Sequence, residues 1–416
     1  METKKIWLSL AQMSGYEMNF VQEAFDTNWV APLGPNVNEF EKTLQKYLLS
    51  DNVAEKKVVA LNSGTAALHL GLLQLGVGEG DDVICQSFTF AATANVIRYL
   101  GATPVFVDSE KTTWNISPSY VEQAITERFA ITGKYPKAII FVNLYGMPAP
   151  IDELIAISLK YNIPLLEDAA ESLGSRYKGK LCGTFGQFGA ISFNGNKIIT
   201  TSGGGALICK DEFTAQRTLY YATQARENEV HYEHKEIGYN YRMSNISAGI
   251  GRGQMMVLDS FVEARRRNHR LYVQLFSNVK GITVQENPSD DYDSNFWLTC
   301  IVIDPQKFGK TSEEVRLMLE RENIESRPLW KPMHLQPVFT DAPYVGGDVS
   351  ENLFKNGLCL PSGVGLTVQD IERVVTIILQ EYPPYGVNEY ARIKDSVQRY
   401  KPGMLKDVKK ELSKNK

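Results

Sequence analysis

From residue 57 onward, short apolar runs alternate with longer amphipathic stretches, and this alternation constrains the fold more than any other feature. KVVAL (57–61), DVICQ (82–86), PVFVD (104–108), AIIFVNL (138–144) and IPLL (163–166) are apolar almost throughout rather than at every second position. Such runs read as strands buried on both faces. Between them, AALHLGLLQLG, TFAATANVIRYLG and IDELIAISLKY (151–161) have the length and spacing of helices. The pattern predicts an α/β fold with a mainly parallel sheet sandwiched by helices. In such sheets ligands sit beyond the carboxyl ends of the strands. NSGT (62–65), QSFTF (86–90) and EDAAE (167–171) fall there on this reading.

A second feature concerns chemistry. Lys197 lies alone in the polar, glycine-rich run SFNGNKIITTSGGG (192–205), between the apolar strands AISF (190–193) and ALIC (206–209). Upstream, IPLL ends in Glu167-Asp168. An amine able to form a Schiff base and a carboxylate at a strand end are the two groups a pyridoxal phosphate (PLP) site requires. The bland alternatives are a solvated loop lysine and a carboxylate that caps the following helix.

Composition narrows the partners. A net charge of −4 over 416 residues gives no electrostatic footprint for nucleic acid or an anionic membrane. An anionic substrate therefore needs local basic residues. The five cysteines (85, 182, 209, 300, 359) show no zinc spacing, and the five histidines (69, 231, 234, 269, 334) no HExxH, so no metal is expected. Cys85 and Cys209 read as inert core thiols. The scattered cysteines, and METKKIW without an apolar leader-like run, fit a cytoplasmic protein. EARRRNHR (263–270) invites a nucleic-acid reading, but on a helix its charges spread over several faces, and it reads as solvated surface.

The chain divides into an N-terminal arm (1–50), a large cofactor-binding domain (51–243), a long helix with a small C-terminal α/β domain (244–385) and a charged tail (386–416) expected to be mobile. In the arm, helices are expected at 17–27 and 37–50, the second capped by Asn36. Residues 245–276 read as one long helix despite Gly249, Gly251 and Gly253, each costing about 1 kcal/mol relative to alanine. Small residues there permit close packing. Strand WLTCIVI (297–303) and helices at 312–322 and 368–382 complete the small domain.

Each remaining candidate has two readings. Ser63-Gly64-Thr65 opens a helix after a strand, so its free N–H groups either hold a phosphate or are merely capped. Ser192 is a phosphate ligand or a strand-end hydroxyl. Phe90 is a ring stacked on a pyridine or a core aromatic. Asn240, in GYNYRMS, is a phosphate donor or a turn residue.

The ordered set SGTAAL, SFTFAATANVI, EDAAESLG, SFNGNKIITTSGGG and GYNYRMSN resembles the DegT-type nucleotide-sugar aminotransferases, PLP enzymes of fold type I, over roughly residues 8–382. The resemblance implies Lys197 as the Schiff-base lysine, which is also the proton carrier, and Asp168 as the partner of the pyridine nitrogen. It implies Gly64, Thr65 and Ser192 at the phosphate, and Phe90 on the ring. Glu171 stands where the family often has His or Gln, and it would be anionic beside PLP unless its surroundings raised its pKa. Asn240 is implied to reach the phosphate of a neighbouring subunit, hence a homodimer with shared sites.

Asn194 replaces the histidine of the common SFHxxK pattern. The intact lysine argues against the family's sugar dehydratases. SFNGNKIITTSGGG, ATQAREN, HYEHKEIGYNYR and RPLWKPMH are most similar to the aminotransferases of the bacillosamine pathway. Those act at C4 of a UDP-linked 4-keto-6-deoxy-N-acetylhexosamine with L-glutamate as donor and pyridoxamine phosphate as the intermediate cofactor form. Asn28, Trp29, Ala31, Asn194, Arg327, Trp330 and His334 would then line the nucleotide-sugar pocket. Arg327, Lys331 and His334 would supply charge for a diphosphate, although a surface ion pair is the competing role for Arg327. The alternatives are an enzyme for a GDP- or dTDP-linked keto sugar, as for perosamine, and a non-catalytic PLP-binding regulatory protein.

Overall fold

The computed structural model describes residues 4–49 and 55–380, so the charged tail and the last expected helical residues, 381–382, lie outside it. The strands, in chain order, are β1 (Lys57–Leu61), β2 (Asp82–Gln86), β3 (Thr103–Val107), β4 (Ala138–Val142), β5 (Leu165–Asp168), β6 (Arg176–Tyr177), β7 (Lys180–Leu181), β8 (Phe188–Ser192) and β9 (Gly205–Cys209). They continue as β10 (Ile282–Val284), β11 (Tyr292–Asp293), β12 (Thr299–Ile303), β13 (Arg327–Pro328), β14 (Tyr344–Val345) and β15 (Gly357–Leu360).

The central sheet has eight strands in the order β1-β9-β8-β5-β4-β2-β3-β14. Only β9 opposes the others, pairing antiparallel with β1 and β8, while the remaining pairs are parallel. A second, antiparallel sheet runs β10-β12-β15-β13, and a small one β11-β6-β7.

The helices preceding residue 277 are α1 (Glu17–Asp26), α2 (Pro35–Leu48), α3 (Gly64–Gln74), α4 (Ala91–Tyr99), α5 (Pro118–Thr132), α6 (Ile151–Tyr161), α7 (Glu212–Ala222), α8 (Asn245–Met255) and α9 (Leu258–Phe276). Alternate strand residues supply the two faces. Leu61, Cys85, Phe106, Ile140 and Leu207 pack with α3, α4 and α7. Val105, Ile139, Phe141 and Leu165 pack with α5 and α6. Burial on both faces, at about 1.5–3 kcal/mol per large aliphatic side chain, explains why the strands read as continuous apolar runs. Among the described residues no helix is long and apolar enough to cross a membrane.

Three expectations change. First, α2 starts at Pro35, where a missing N–H costs nothing, and Asn36 is not its cap. The cap comes from outside the helix: Asn245 Oδ1 accepts the N–H of Asn36 (2.9 Å) and Val37 (3.3 Å), while Asn36 itself is buried and donates to the Phe20 carbonyl.

Second, the long helix is two. Val257, with φ −124° and ψ 7°, breaks it between α8 and α9. The three glycines of α8 are contact points: a Cβ at Gly249, Gly251 or Gly253 would meet Asn36 and Phe20, the Phe40 ring, or the backbone of Glu17, all starting below 3.0 Å.

Third, the basic run of α9 is not simply solvated surface. Glu263 and Arg270 are exposed, but Arg265, Asn268 and His269 are buried. Arg265 donates to the carbonyls of Trp297 and Ser362 and to Ser9 Oγ, and the His269 ring stacks on Phe296 at 3.5 Å. Burial pushes His269 down to about 3, so it packs as a neutral ring.

The expected parts of the chain also pack on one another. α8 packs on the arm helices α1 and α2, β14 extends the large sheet, and Ile6 of the arm pairs with Ile324.

Candidate active site

The predicted strand ends converge on a cavity of about 310 Å³. Its walls come from the starts of α3 and α4, from Asp168 ending β5, from Ser192 ending β8, from the 194–197 loop, and from Trp297 and Trp330. A broader surface depression of about 530 Å³ between α2 and α7 is lined by Lys42, Lys46, Glu212 and Gln216. It holds none of the candidate residues; Lys42, Lys46 and Glu212 are exposed, and Glu41 is taken up by Arg242 and the Ala60 N–H.

At one end, Ser63 caps α3 by accepting the N–H of Ala66 at 3.0 Å. The capping reading holds, and it leaves other N–H groups of the first turn free of the cap. The first-turn N–H groups of Gly64 and Thr65 have no carbonyl four residues back in the helix, and both residues line the cavity. A Cβ on Gly64 would stand 3.0 Å from Ser192 Cβ, so the helix start lies against the end of β8. Gly205 makes that approach possible, since a Cβ there would meet Ser63 C at 2.3 Å and Gly64 N at 2.4 Å.

At the other end, Asp168 is buried. Its Oδ2 accepts from Thr93 Oγ1 at 2.7 Å and its Oδ1 from the Ala170 N–H at 3.1 Å. Burial pushes its carboxyl up. The bonds from Thr93 and Ala170 and the charge of Lys197 oppose that rise.

Lys197 enters from the β8–β9 hairpin. Its Nζ lies 3.1 Å from Glu171 Oε1 and 4.1 Å from the Trp297 ring centroid, with the side chain 13% exposed. Glu171 Oε2 accepts the Tyr145 N–H at 2.7 Å. Burial raises the Glu171 carboxyl, as does nearby Asp168, whereas Lys197 and Tyr145 lower it. Phe90, 58% exposed, sits at the start of α4 with its ring 5.4 Å from that of Trp330.

The donor set fits PLP. The crowded α3–β8 cradle offers N–H and hydroxyl groups for a phosphate, Asp168 an anion for a ring nitrogen, and Lys197 an amine for the aldehyde.

The remaining candidates divide. Asn194 and Trp330 line the cavity. Asn240 is exposed and outside it, its carbonyl accepting from Asn62 Nδ2 at 3.1 Å. Asn28, Trp29 and Ala31 also lie outside it, on a stretch whose Trp29 and Ala31 carbonyls accept from Asn245. Arg327 forms the surface ion pair, 2.8 Å to Glu325. His334 binds Ser87 Oγ through Nδ1 (2.7 Å), meets Glu351 through Nε2 (3.3 Å) and stacks on Tyr344. Both nitrogens of its ring are engaged within the protein, whereas the Arg327 side chain stays 67% exposed beside Glu325.

The sequence reading missed Thr93, Tyr145 and Trp297. Thr93 was findable, lying one helical turn after Thr89 in SFTFAATANVI, and the two hydroxyls are 2.9 Å apart. Trp297 was assigned to a strand that begins only at Thr299.

Comparison with known proteins agrees with this geometry. The DegT/DnrJ/EryC1/StrS aminotransferase family profile matches residues 12–379. The chain is 48% identical over 93% of its length, and 98% of the relative's, to "Putative pyridoxal phosphate-dependent aminotransferase EpsN" of Bacillus subtilis. It is 35% identical to a GDP-perosamine synthase of Escherichia coli, over 89% of this chain and 96% of that one. The crystal structure of a DegT DnrJ EryC1 StrS aminotransferase from Brucella abortus superposes with a TM-score of 0.81 at 31% identity, covering 88% of this chain and 95% of that one. A cavity whose donors fit PLP, in a chain matching this family almost from end to end, has one reading: the chain belongs to the DegT/DnrJ/EryC1/StrS aminotransferase family and is a PLP-dependent nucleotide-sugar aminotransferase.

Proposed function

We propose that the chain moves the amino group of L-glutamate to C4 of a UDP-linked 4-keto-6-deoxy-N-acetylhexosamine, in the cytoplasm and as a homodimer. One observation carries the aminotransferase chemistry: Lys197 Nζ is held nearly out of solvent in the same cavity as Asp168 and the start of α3. Support for the UDP-linked acceptor comes from the SFNGNKIITTSGGG and RPLWKPMH segments. The 35% identity to a GDP-perosamine synthase favours a GDP-linked ketone as the second reading.

PLP, when bound, supplies an electron sink conjugated to the substrate amine. The Asp168 carboxylate pairs with the ring nitrogen and keeps it protonated. The N–H groups of Gly64 and Thr65, with Ser192, hold the phosphate, and Asn240 reaches the partner's phosphate. Phe90 covers the ring. Lys197 Nζ takes the proton from the reacting carbon and returns it, first with glutamate, which leaves as 2-oxoglutarate, and then with the keto sugar. Asn194 and Trp330 contact the sugar nucleotide, with the Asn28–Ala31 stretch closing the pocket and exposed Lys331 facing the diphosphate.

The test is an absorbance titration of the PLP-loaded protein. Glutamate bleaches the visible cofactor band, and the UDP-linked keto sugar restores it. Bleaching without recovery rejects this acceptor in favour of GDP- or dTDP-linked ketones. No bleaching rejects glutamate as donor. Lys197→Ala binds pyridoxamine phosphate but does not turn over, and sustained turnover by that variant refutes the assignment.

A further inference from the structure

Glu171 and Trp297 are joined through one side chain. Asn295 Nδ2 donates to the carbonyls of Glu171 and Leu173, both at 2.9 Å, and Asn295 Oδ1 accepts the Trp297 N–H at 2.8 Å. Asn295 is itself fixed, its N–H donating to Ser175 Oγ at 2.9 Å. The Trp297 indole Nε1–H donates to the Asn196 carbonyl at 2.7 Å, so the ring also grips the residue preceding Lys197. Behind it, the buried Arg265 binds the Trp297 carbonyl. The result is a rigid box with a carboxylate on one wall and an indole face on the other, and the Lys197 ammonium lies between them. Trp297 is 2% exposed, so the cation meets the ring away from bulk water, where such contacts are strongest.

We propose that the Glu171 carboxylate and the Trp297 indole face form a seat for the Lys197 ammonium while that amine is not bonded to cofactor, with Asn295 as the positioning residue that fixes the two walls. The inference rests on the aminotransferase reading, in which Lys197 is alternately bonded and free. Condensation of the amine with the PLP aldehyde, which releases water, lifts Lys197 out of the seat. Binding of pyridoxamine phosphate leaves it there. The seat therefore favours the pyridoxamine form over the PLP form, and so draws the glutamate half-reaction forward.

The experiment measures the dissociation constants of PLP and pyridoxamine phosphate on the cofactor-free protein by calorimetry. No turnover is involved. Trp297→Leu removes the cation–ring contact. The expected result is that PLP tightens relative to pyridoxamine phosphate by about threefold to thirtyfold. Trp297→Phe, which keeps a ring face, recovers most of the wild-type ratio. A merely structural lesion weakens both ligands together. An unchanged ratio in Trp297→Leu overturns the proposal. Should that variant fail to fold, Asn295→Ser carries the same expectation and the same refutation. In a Lys197→Ala background, replacing Trp297, a wall of the cavity, shifts both affinities together if at all and leaves their ratio unmoved, and a ratio that still moves there also overturns the seat. Failure of glutamate to bleach wild-type protein would reject the donor assignment but leave this ratio measurable.

Discussion

The triplet Gly203-Gly204-Gly205 offers a graded test of the cradle at three adjacent positions. A methyl on Gly203 finds nothing nearer than the Asn62 carbonyl at 3.9 Å. On Gly204 it meets Thr201 Oγ1 at 2.1 Å and Met243 Cε at 2.7 Å, both side-chain atoms that can move. On Gly205 it meets Ser63 C at 2.3 Å and Gly64 N at 2.4 Å, which are backbone atoms at the start of α3. Reaching ordinary contact there means moving the helix start by about an ångström. Gly203→Ala should change stability by less than about 0.5 kcal/mol. Gly204→Ala should cost about 1–2 kcal/mol, and Gly205→Ala about 3 kcal/mol or more.

Affinity separates the cradle from stability. Hydrogen bonds from N–H groups to a charged phosphate contribute about 1.5–3 kcal/mol each. Misdirecting one of the two from Gly64 and Thr65 weakens pyridoxamine phosphate binding by about tenfold to a hundredfold in Gly205→Ala, while Gly203→Ala stays near wild type. Denaturant unfolding of the cofactor-free protein and calorimetry supply the two numbers. Gly205→Ala binding within threefold of wild type, or Gly203→Ala as damaging as Gly205→Ala, refutes the reasoning.

Further outcomes follow from the buried groups. Thr93→Val removes the hydroxyl bonded to Asp168 Oδ2, a bond that holds that carboxyl down against the effect of burial, so the acidic limb of PLP affinity should move upward. The Asp168 carboxyl already stands above its ordinary value. Its protonated form therefore stabilises the cofactor-free fold at low pH, and that contribution is lost as pH rises through the folded-state value. Thr93→Val extends the contribution to higher pH, which unfolding curves measured upward from acid pH would register; a limb that does not move argues against the bond. All five cysteines are buried free thiols, and burial pushes Cys209 up to about 12. Ellman's reagent at pH 8 should find no reactive thiol in the native protein and five after denaturation, and fast labelling of native protein would contradict the packing.

Much of this site was legible because its groups stand at places where the chain changes state. Asp168 ends β5, Ser192 ends β8, Gly64 begins α3 and Phe90 precedes α4, and punctuation of that kind shows in the periodicity of apolar residues. Contacts between distant segments left no such mark. The Asn245 side chain caps α2 from 209 residues away. Arg265 sits in a run of charges yet is buried, because backbone carbonyls from Trp297 and Ser362 receive it. His334 carried the right chemistry for a diphosphate, but Ser87 and Glu351 already occupy its two nitrogens. A single sequence displays the residue type in each case and not the partner.

The one reversed strand explains why Lys197 is where it is. A parallel connection after β8 would need a crossover of a dozen or more residues that carries the chain to the far edge of the sheet before it returns. β9 instead pairs antiparallel with β8, Ser192 opposite Gly205, so residues 193–204 form a hairpin loop that stays over the carboxyl edge. β9 then pairs with β1, Leu61 also opposite Gly205, which brings the start of α3 beside the same loop. Lysine, phosphate cradle and Ser192 are thus fixed to one another through a single glycine, while Asp168 joins them because β5 lies next to β8. A substitution that disturbs Gly205 should therefore affect the Lys197 seat and the phosphate end together, whereas one at Thr93 should reach only the Asp168 end.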